Sequence, residues 1–104
     1  MGDLSGLMQE AQRIQQEMKR VQTELAERTV DGSAGGGMVT VRVNGLQELV
    51  SVKIDRAVVK PEEVDLLEDL VVAAVSQAMR KSQEMAKQAY GGLTGGLTIP
   101  GLTP

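Results

Sequence analysis

Along the first quarter of the chain, apolar side chains recur every three or four positions, at Leu4, Leu7, Met8, Ala11, Ile14, Met18, Val21 and Leu25. That spacing lays one stripe along an amphipathic α-helix. No Gly or Pro interrupts the stretch between Leu7 and Arg28, and Asp3 stands where an N-cap is wanted. Residues Glu10, Arg13, Glu17, Arg20, Glu24 and Arg28 form a second stripe that alternates in sign. Each of these charges meets an opposite one three or four positions away, which supports a helix by roughly 0.2–0.5 kcal/mol per pair.

The period then drops to two. Val39, Val41 and Val43 alternate with Met38, Thr40 and Arg42, and Val50, Val52 and Ile54 alternate with Ser51, Lys53 and Asp55. Both runs predict half-buried strands. Asn44-Gly45 lies between them, a pair that supplies the positive φ angles of a tight hairpin turn. Residues Thr29 to Ala34 predict an earlier strand, joined to the next through Gly35-Gly36-Gly37, so the expected sheet is a three-stranded antiparallel meander. With Gly32, those glycines superficially resemble a phosphate-binding loop. No Gly-Lys-Ser/Thr follows and no helix opens there, so they predict a turn.

Lys60-Pro61-Glu62-Glu63 opens the last element, with Pro61 suited to a first helical position and the acids to an N-terminal turn. Asp65 followed by Glu68 resembles a capping box, which starts the main helix there after a short preliminary turn. Leu66, Leu67, Leu70, Val71, Ala74, Val75, Ala78, Met79, Met85 and Ala86 give its apolar face, and the small Ala residues permit close approach. Gly91-Gly92 predicts an end near Tyr90, with Arg80, Lys81 and Lys87 placed to complement the helix C-terminus. The expectation is one α+β domain of order α-β-β-β-α over residues 1–90. Residues 91–104 are Gly-rich and nearly uncharged and predict a disordered tail.

Composition narrows the chemistry. The 104 residues include no His and no Cys, and Tyr90 is the single aromatic. The usual nucleophile–base pairs, thiolate metal sites and base-stacking platforms are therefore missing. No constellation of carboxylates and lysines stands out, so an enzyme is not expected, nor a cofactor or a small-molecule substrate. The acids from Glu62 to Asp69 lack the alternation and central Gly of a calcium loop, so they read as helix initiation and no metal is expected. The first residues lack a signal-peptide pattern and no run is long enough to span a bilayer. A soluble cytoplasmic protein with no membrane partner is the expectation.

Net charge is −3, which argues weakly against a protein that merely coats nucleic acid. Its distribution changes the picture, because Glu62, Glu63, Asp65, Glu68 and Asp69 hold five of the 14 acids. The other nine face 11 bases, a net of +2 over the rest of the chain.

Length argues for self-association. A first helix of about 25 residues is about 37 Å long, whereas strands of about seven residues span roughly 23 Å. One such sheet leaves part of the apolar stripe uncovered, and a second copy of the chain is the cheapest cover. A homodimer is expected.

Taken together, several segments resemble the YbaB/EbfC family of nucleoid-associated proteins. They are Glu10-Ala11-Gln12 with the Gln-, Met- and Glu-rich helix that follows, Gly36-Gly37-Met38-Val39-Thr40-Val41 to Asn44-Gly45, Val52-Lys53-Ile54-Asp55, Leu67-Glu68-Asp69-Leu70 through Ala74 to Ala78-Met79-Arg80-Lys81, and Ile99-Pro100-Gly101. Ser76-Gln77-Ala78 departs from the family's common Asn-x-Ala. The resemblance implies subunits whose sheets meet in a tweezer-like dimer with projecting helices. It also implies binding of double-stranded DNA with low or moderate sequence preference, location in the nucleoid, and an influence on nucleoid organisation and gene expression.

For such a protein, affinity comes mainly from Lys and Arg contacts to phosphate. The candidates are Arg13, Lys19 and Arg20 on the first helix, Arg80, Lys81 and Lys87 on the last, and Lys53 and Arg56 near the sheet. Each has a plainer rival reading. Arg13 and Arg20 fit the intrahelical charge stripe, whereas Lys19 lies off it, and the last-helix cations fit the helix dipole. The alternative function is a non-enzymatic adaptor whose helical arms hold another protein, in keeping with the acidic balance and the Gln-rich first helix.

Overall fold

A computed structural model describes residues 3–93. Helix α1 spans Asp3–Glu27, strands β1, β2 and β3 span Thr29–Ala34, Val39–Asn44 and Leu49–Ile54, and helix α2 spans Val64–Leu93. Asp3 lies within α1, its side chain and the capping role expected of it are outside the description, and the tail from 94 onward lies outside the described residues. The sheet is an antiparallel meander in the order β1-β2-β3, so the α-β-β-β-α expectation holds.

Residues Val39, Val41 and Val43 of β2 are fully buried against Ala74 and Ala78 of α2, with Val30, Leu67, Leu70, Val71, Val75 and Met79 around them. Gly32 makes this approach possible, because a Cβ there would stand 2.2 Å from the Ala74 carbonyl oxygen. A second cluster joins Val21 and Leu25 of α1 to Met85 of α2, with Ala86, Ala89 and Tyr90 packed on it. Between the clusters, buried Ser82 donates to the Asn44 carbonyl oxygen at 2.7 Å.

The glycine turn after β1 is as expected, with φ of +65°, +68° and +93° at Gly35, Gly36 and Gly37. The second turn is not. Neither Asn44 nor Gly45 has positive φ, and that conformation falls on Gln47 at +64°. The loop is longer than a two-residue turn, with the Asn44 N–H donating to the Glu48 carbonyl at 3.0 Å. Its Asn and Gly answer to α1 instead. The Gly45 N–H donates to the carbonyls of Leu25 (2.8 Å) and Arg28 (3.0 Å), and a Cβ at Gly45 would lie 2.7 Å from the Leu25 oxygen. The Asn44 side chain accepts from the Leu46 and Glu48 N–H groups and donates to the Ala26 carbonyl and the Glu48 carboxylate. Hairpin and helix end are thereby locked together, satisfying carbonyls that a helix C-terminus leaves open.

Pro61–Glu63 forms a 3₁₀ turn that runs directly into α2 at Val64. Asp65 therefore sits in the first turn of α2 and does not cap it. A further 3₁₀ turn at Arg56–Val58 is capped by Asp55, which accepts from the Ala57 N–H at 2.9 Å. At its far end α2 continues through Gly91-Gly92 to Leu93, three residues beyond the expected stop. Each helical Gly costs roughly 1 kcal/mol relative to Ala, and the turn just before them is anchored, with Ala86, Ala89 and Tyr90 packed against Val21 and Leu25 of α1.

Candidate nucleic-acid interface

The basic candidates fall into groups set by their elements. On α1, Arg13 pairs with Glu10, and Arg20 bridges Glu17 at 2.8 Å and Glu24 at 2.6 Å. These hydrogen bonds hold Glu10 below, and both arginines above, their ordinary pKa values. Both arginines remain more than half exposed, so their pairs are weak enough for a phosphate to compete. Together with Arg28, Arg13 and Arg20 line one groove of about 490 Å³, closed on the other side by Ala89 and Gly92 of α2. Lys19 lies elsewhere on α1 among Gln12, Gln15, Gln16 and Gln22, and makes no ion pair with a described residue.

On α2 the structure separates three residues that the sequence groups. None of Arg80, Lys81 and Lys87 lies in the last turn, because the helix runs on to Leu93. The helix dipole acts within that last turn, so it does not account for them. Lys81 donates to the Asp31 carbonyl oxygen at 2.9 Å, and Gln77 accepts from the Ser33 N–H at 2.7 Å. These two side chains occupy two backbone groups on the outer edge of β1, at the centre of the strand, where another strand would otherwise pair. Lys81 is thus a structural latch. Arg80 and Lys87 stand seven residues apart on the face of α2 turned away from the sheet, exposed and without an ion pair to a described residue.

On the outer face of the sheet, Lys53 is opposite Thr40 on β2 and shares a shallow site with Asp31, Arg42 and Ser51. Arg42 makes a two-pronged bond to Asp31 at 2.9 and 3.2 Å, which holds that carboxyl below its ordinary value. Arg56 stands apart in the turn after β3. Sequence reasoning left out Arg42 and Arg28 as site residues. The signal for Arg42 was its place between inward Val41 and Val43, which puts it on the same sheet face as Lys53. Arg28 joins the other arginines only through the α1–α2 packing.

The subunit also has an uncovered apolar face. Helix α2 lies over β1 and β2 and leaves β3 bare, and every β3 residue is exposed. Ile54, Val52 and Leu49 are opposite Val39, Val41 and Val43, so they share the helix-bearing face of the sheet. Their exposures are 37%, 42% and 55%. Because Gln77 and Lys81 mark the β1 flank of α2, the flank carrying Val72, Val75 and Met79 is turned toward β3. Among the described residues no three His, Cys, Asp or Glu side chains converge as a metal site, and no helix is long and apolar enough to cross a membrane.

A crystal structure of an uncharacterised protein from Helicobacter pylori shares the fold, with a TM-score of 0.82 over 91% of this chain and 100% of that one, at 24% identity. A protein of Syntrophobacter fumaroxidans named nucleoid-associated protein is 59% identical over 95 residues, 91% of this chain and 86% of its own. Another so named, from Pelotomaculum thermopropionicum, is 48% identical over 97% of this chain and 96% of its own. The model of the YbaB/EbfC DNA-binding family matches residues 1–97. By its order of elements, its sequence relatives and that match along nearly its whole length, the chain belongs to the YbaB/EbfC family of nucleoid-associated DNA-binding proteins.

Proposed function

We propose that this protein binds duplex DNA in the nucleoid as a homodimer, chiefly through phosphate contacts, and thereby affects nucleoid organisation and gene expression. The observation that carries the reading is the pair Arg80 and Lys87, exposed on the outer face of α2, outside its last turn and without an ion pair to a described residue, although Glu84 stands between them. On the other helix, Arg13, Arg20 and Arg28 share a groove with Glu17 and Glu24, whose exposed pairs with Arg20 a phosphate can displace, and Lys19 lies apart from it. Lys53, Arg42 and Arg56 are secondary contributors, and Lys81 contributes charge while holding β1. Phosphate contacts of this kind carry little sequence information, which accords with low or moderate preference.

The bare face of β3 and the adjoining flank of α2 support a sheet-to-sheet dimer, since β1 is latched and β3 is not. A two-fold axis then doubles each basic group. The test is a gel-shift titration of a random duplex with the Arg80→Glu/Lys87→Glu protein. Weaker binding at an unchanged thermal midpoint supports the assignment, and unchanged binding removes α2 from the interface. The exposed stripe of α1 favours a second reading, an adaptor that holds another protein between helical arms, for which binding responds little to salt.

A further inference from the structure

The two helices leave the sheet at the same end and run past each other in opposite directions. Ser82 of α2 donates to the Asn44 carbonyl oxygen and the Gly45 N–H donates to the Leu25 carbonyl, so Ser82 and Leu25 stand level at the β2–β3 loop. Beyond that level α2 continues from residue 82 to 93, whereas α1 extends back from residue 25 to 3. At about 1.5 Å per residue these lengths are about 16 Å and about 33 Å. Helix α2 therefore stops about level with Ile14, in keeping with the groove that Gly92 shares with Arg13 and Glu17. The apolar stripe of α1 shows the same limit. Val21 and Leu25 are buried on Met85, Ala86, Ala89 and Tyr90, whereas exposure rises from 41% at Met18 and 45% at Ile14 to 65% at Leu7 and 73% at Leu4. About 17 Å of stripe is left where α2 has ended.

The chain itself continues from that point. Residues 94–104, which lie outside the described residues, read Thr-Gly-Gly-Leu-Thr-Ile-Pro-Gly-Leu-Thr-Pro, with Leu97, Ile99 and Leu102 as apolar side chains and no charge. Such a segment reaches up to about 36 Å when extended, twice what the open stripe needs. The flanks of the stripe suit an uncharged occupant. On one side Glu10 and Glu17 already hold Arg13 and Arg20 of their own helix, and on the other stand the amides of Gln12 and Gln15. Threonine hydroxyls and peptide groups meet those amides without breaking an ion pair. A foreign helix or a second copy bears the full cost of association, whereas a segment tethered at Leu93 is held at a local concentration on the order of mM.

We propose that residues 94–102 continue past Leu93 along α1 of the same subunit and set Leu97, Ile99 and Leu102 on the open stripe between Ile14 and Leu4. The Gly-rich composition gives the segment little structure of its own, and an extended chain on an existing stripe needs none. The cover lies within one subunit, so each helical arm keeps its own and the arms of a dimer stay apart. A protein that docks on the arm must displace it, which makes the segment a gate on the adaptor reading, and the outer face of α2 with Arg80 and Lys87 is left open to a duplex. The proposal depends on neither duplex binding nor the sheet dimer.

The absence of cysteine from the chain makes the test clean. Ala11 lies on the stripe and Gln9 on the opposite side of α1 at nearly the same height, and both are exposed. Full-length Ala11→Cys/Thr98→Cys and Gln9→Cys/Thr98→Cys proteins are oxidised with diamide at low micromolar concentration, after circular dichroism has checked that each melts as wild type. The readout is disulfide formed within one chain, seen as loss of both free thiols with no gain in mass on a denaturing, non-reducing gel. The Ala11 pair is expected to close at least about tenfold faster than the Gln9 pair, because docking raises the effective concentration of position 98 over the stripe alone. Adding Leu97→Ser, Ile99→Ser and Leu102→Ser is expected to bring the two rates together, which separates docking from mere nearness of the attachment point. Equal rates for the two pairs, or an advantage that survives the three serines, overturn the proposal. Covalent dimers in place of closure within the chain also overturn it, since they give the stripe to the tail of another copy.

Discussion

Replacing Gly32 by Ala adds one carbon where α2 leaves no room for it. The new Cβ would lie 2.2 Å from the Ala74 carbonyl oxygen, 2.5 Å from the Ala78 nitrogen and 2.9 Å from the Ala78 Cβ, whereas unstrained carbon contacts sit at about 3.5–4.0 Å. Two of the three atoms are helix backbone, so no rotamer change relieves them. α2 must lift by about 1 Å along the row where Val39, Val41 and Val43 meet Ala74 and Ala78, and a gap of that size forfeits a quarter to a half of each contact's attraction. Overpacking costs about 1–3 kcal/mol, and the backbone clash places this case near the upper limit. For a domain of this size, about 3 kcal/mol lowers the thermal midpoint by about 12–24 °C. The assay is circular dichroism melting at one fixed protein concentration, because association makes the midpoint concentration-dependent. Ala78→Gly in the same chain removes only the Cβ contact and is expected to rescue little. Gly6→Ala, with nothing within 4 Å, is expected to be neutral or to stabilise α1 by up to about 1 kcal/mol. A Gly32→Ala midpoint within about 2 °C of wild type would refute the close approach of α2 to β1.

Three other perturbations probe separate contacts. Val52→Asp with Ile54→Asp places charge on the bare β3 face while leaving the core untouched, so light scattering should give about 11 kDa, the monomer mass; a mass still twice that would exclude this face from the dimer. Ser82→Ala removes a buried donor to the Asn44 carbonyl, which keeps the Gln47 N–H as a second donor. A loss of about 0.5–1.5 kcal/mol in urea titration is expected, and no loss would deny the bond a role in joining the two clusters. The third concerns pH. The Arg42 bonds hold Asp31 below its ordinary value of 3.8, so their stabilisation is complete at neutral pH and fades as pH falls through the lowered value. Asp31→Asn is expected to be slightly less stable than wild type at pH 7 and equal to it at the acid end of a titration, whereas a constant difference at every pH would contradict the pairing.

Elements whose cause is local were legible in the sequence. The α1 stripe, the valine alternation of β2 and β3, the triple-glycine turn and the Pro61 start all depend on residues a few positions apart. Asn44-Gly45 shows the opposite case, since its conformation answers to the carbonyls of Leu25, Ala26 and Arg28 at the end of a distant helix. Likewise α2 crosses Gly91-Gly92, a stop signal on local grounds, just after a turn whose Ala86, Ala89 and Tyr90 are seated on α1. The site was legible as a list of cations and not as an arrangement. Lys81 is turned to β1 by a contact fifty residues away, and the dipole reading of Arg80 and Lys87 failed once the helix end moved. Arg42 needed its strand register, and Arg28 needed the α1–α2 packing.

The central claim, duplex binding through phosphate contacts, is tested most directly by fluorescence anisotropy with a random duplex across a salt series, on protein shown to be dimeric. The account predicts affinity that falls along a straight line of log K against log salt, with a slope of about −0.9 for each phosphate neutralised, and a shallower slope for the Arg80→Glu/Lys87→Glu protein. Absence of binding at low salt, or binding that salt leaves unchanged, would contradict it.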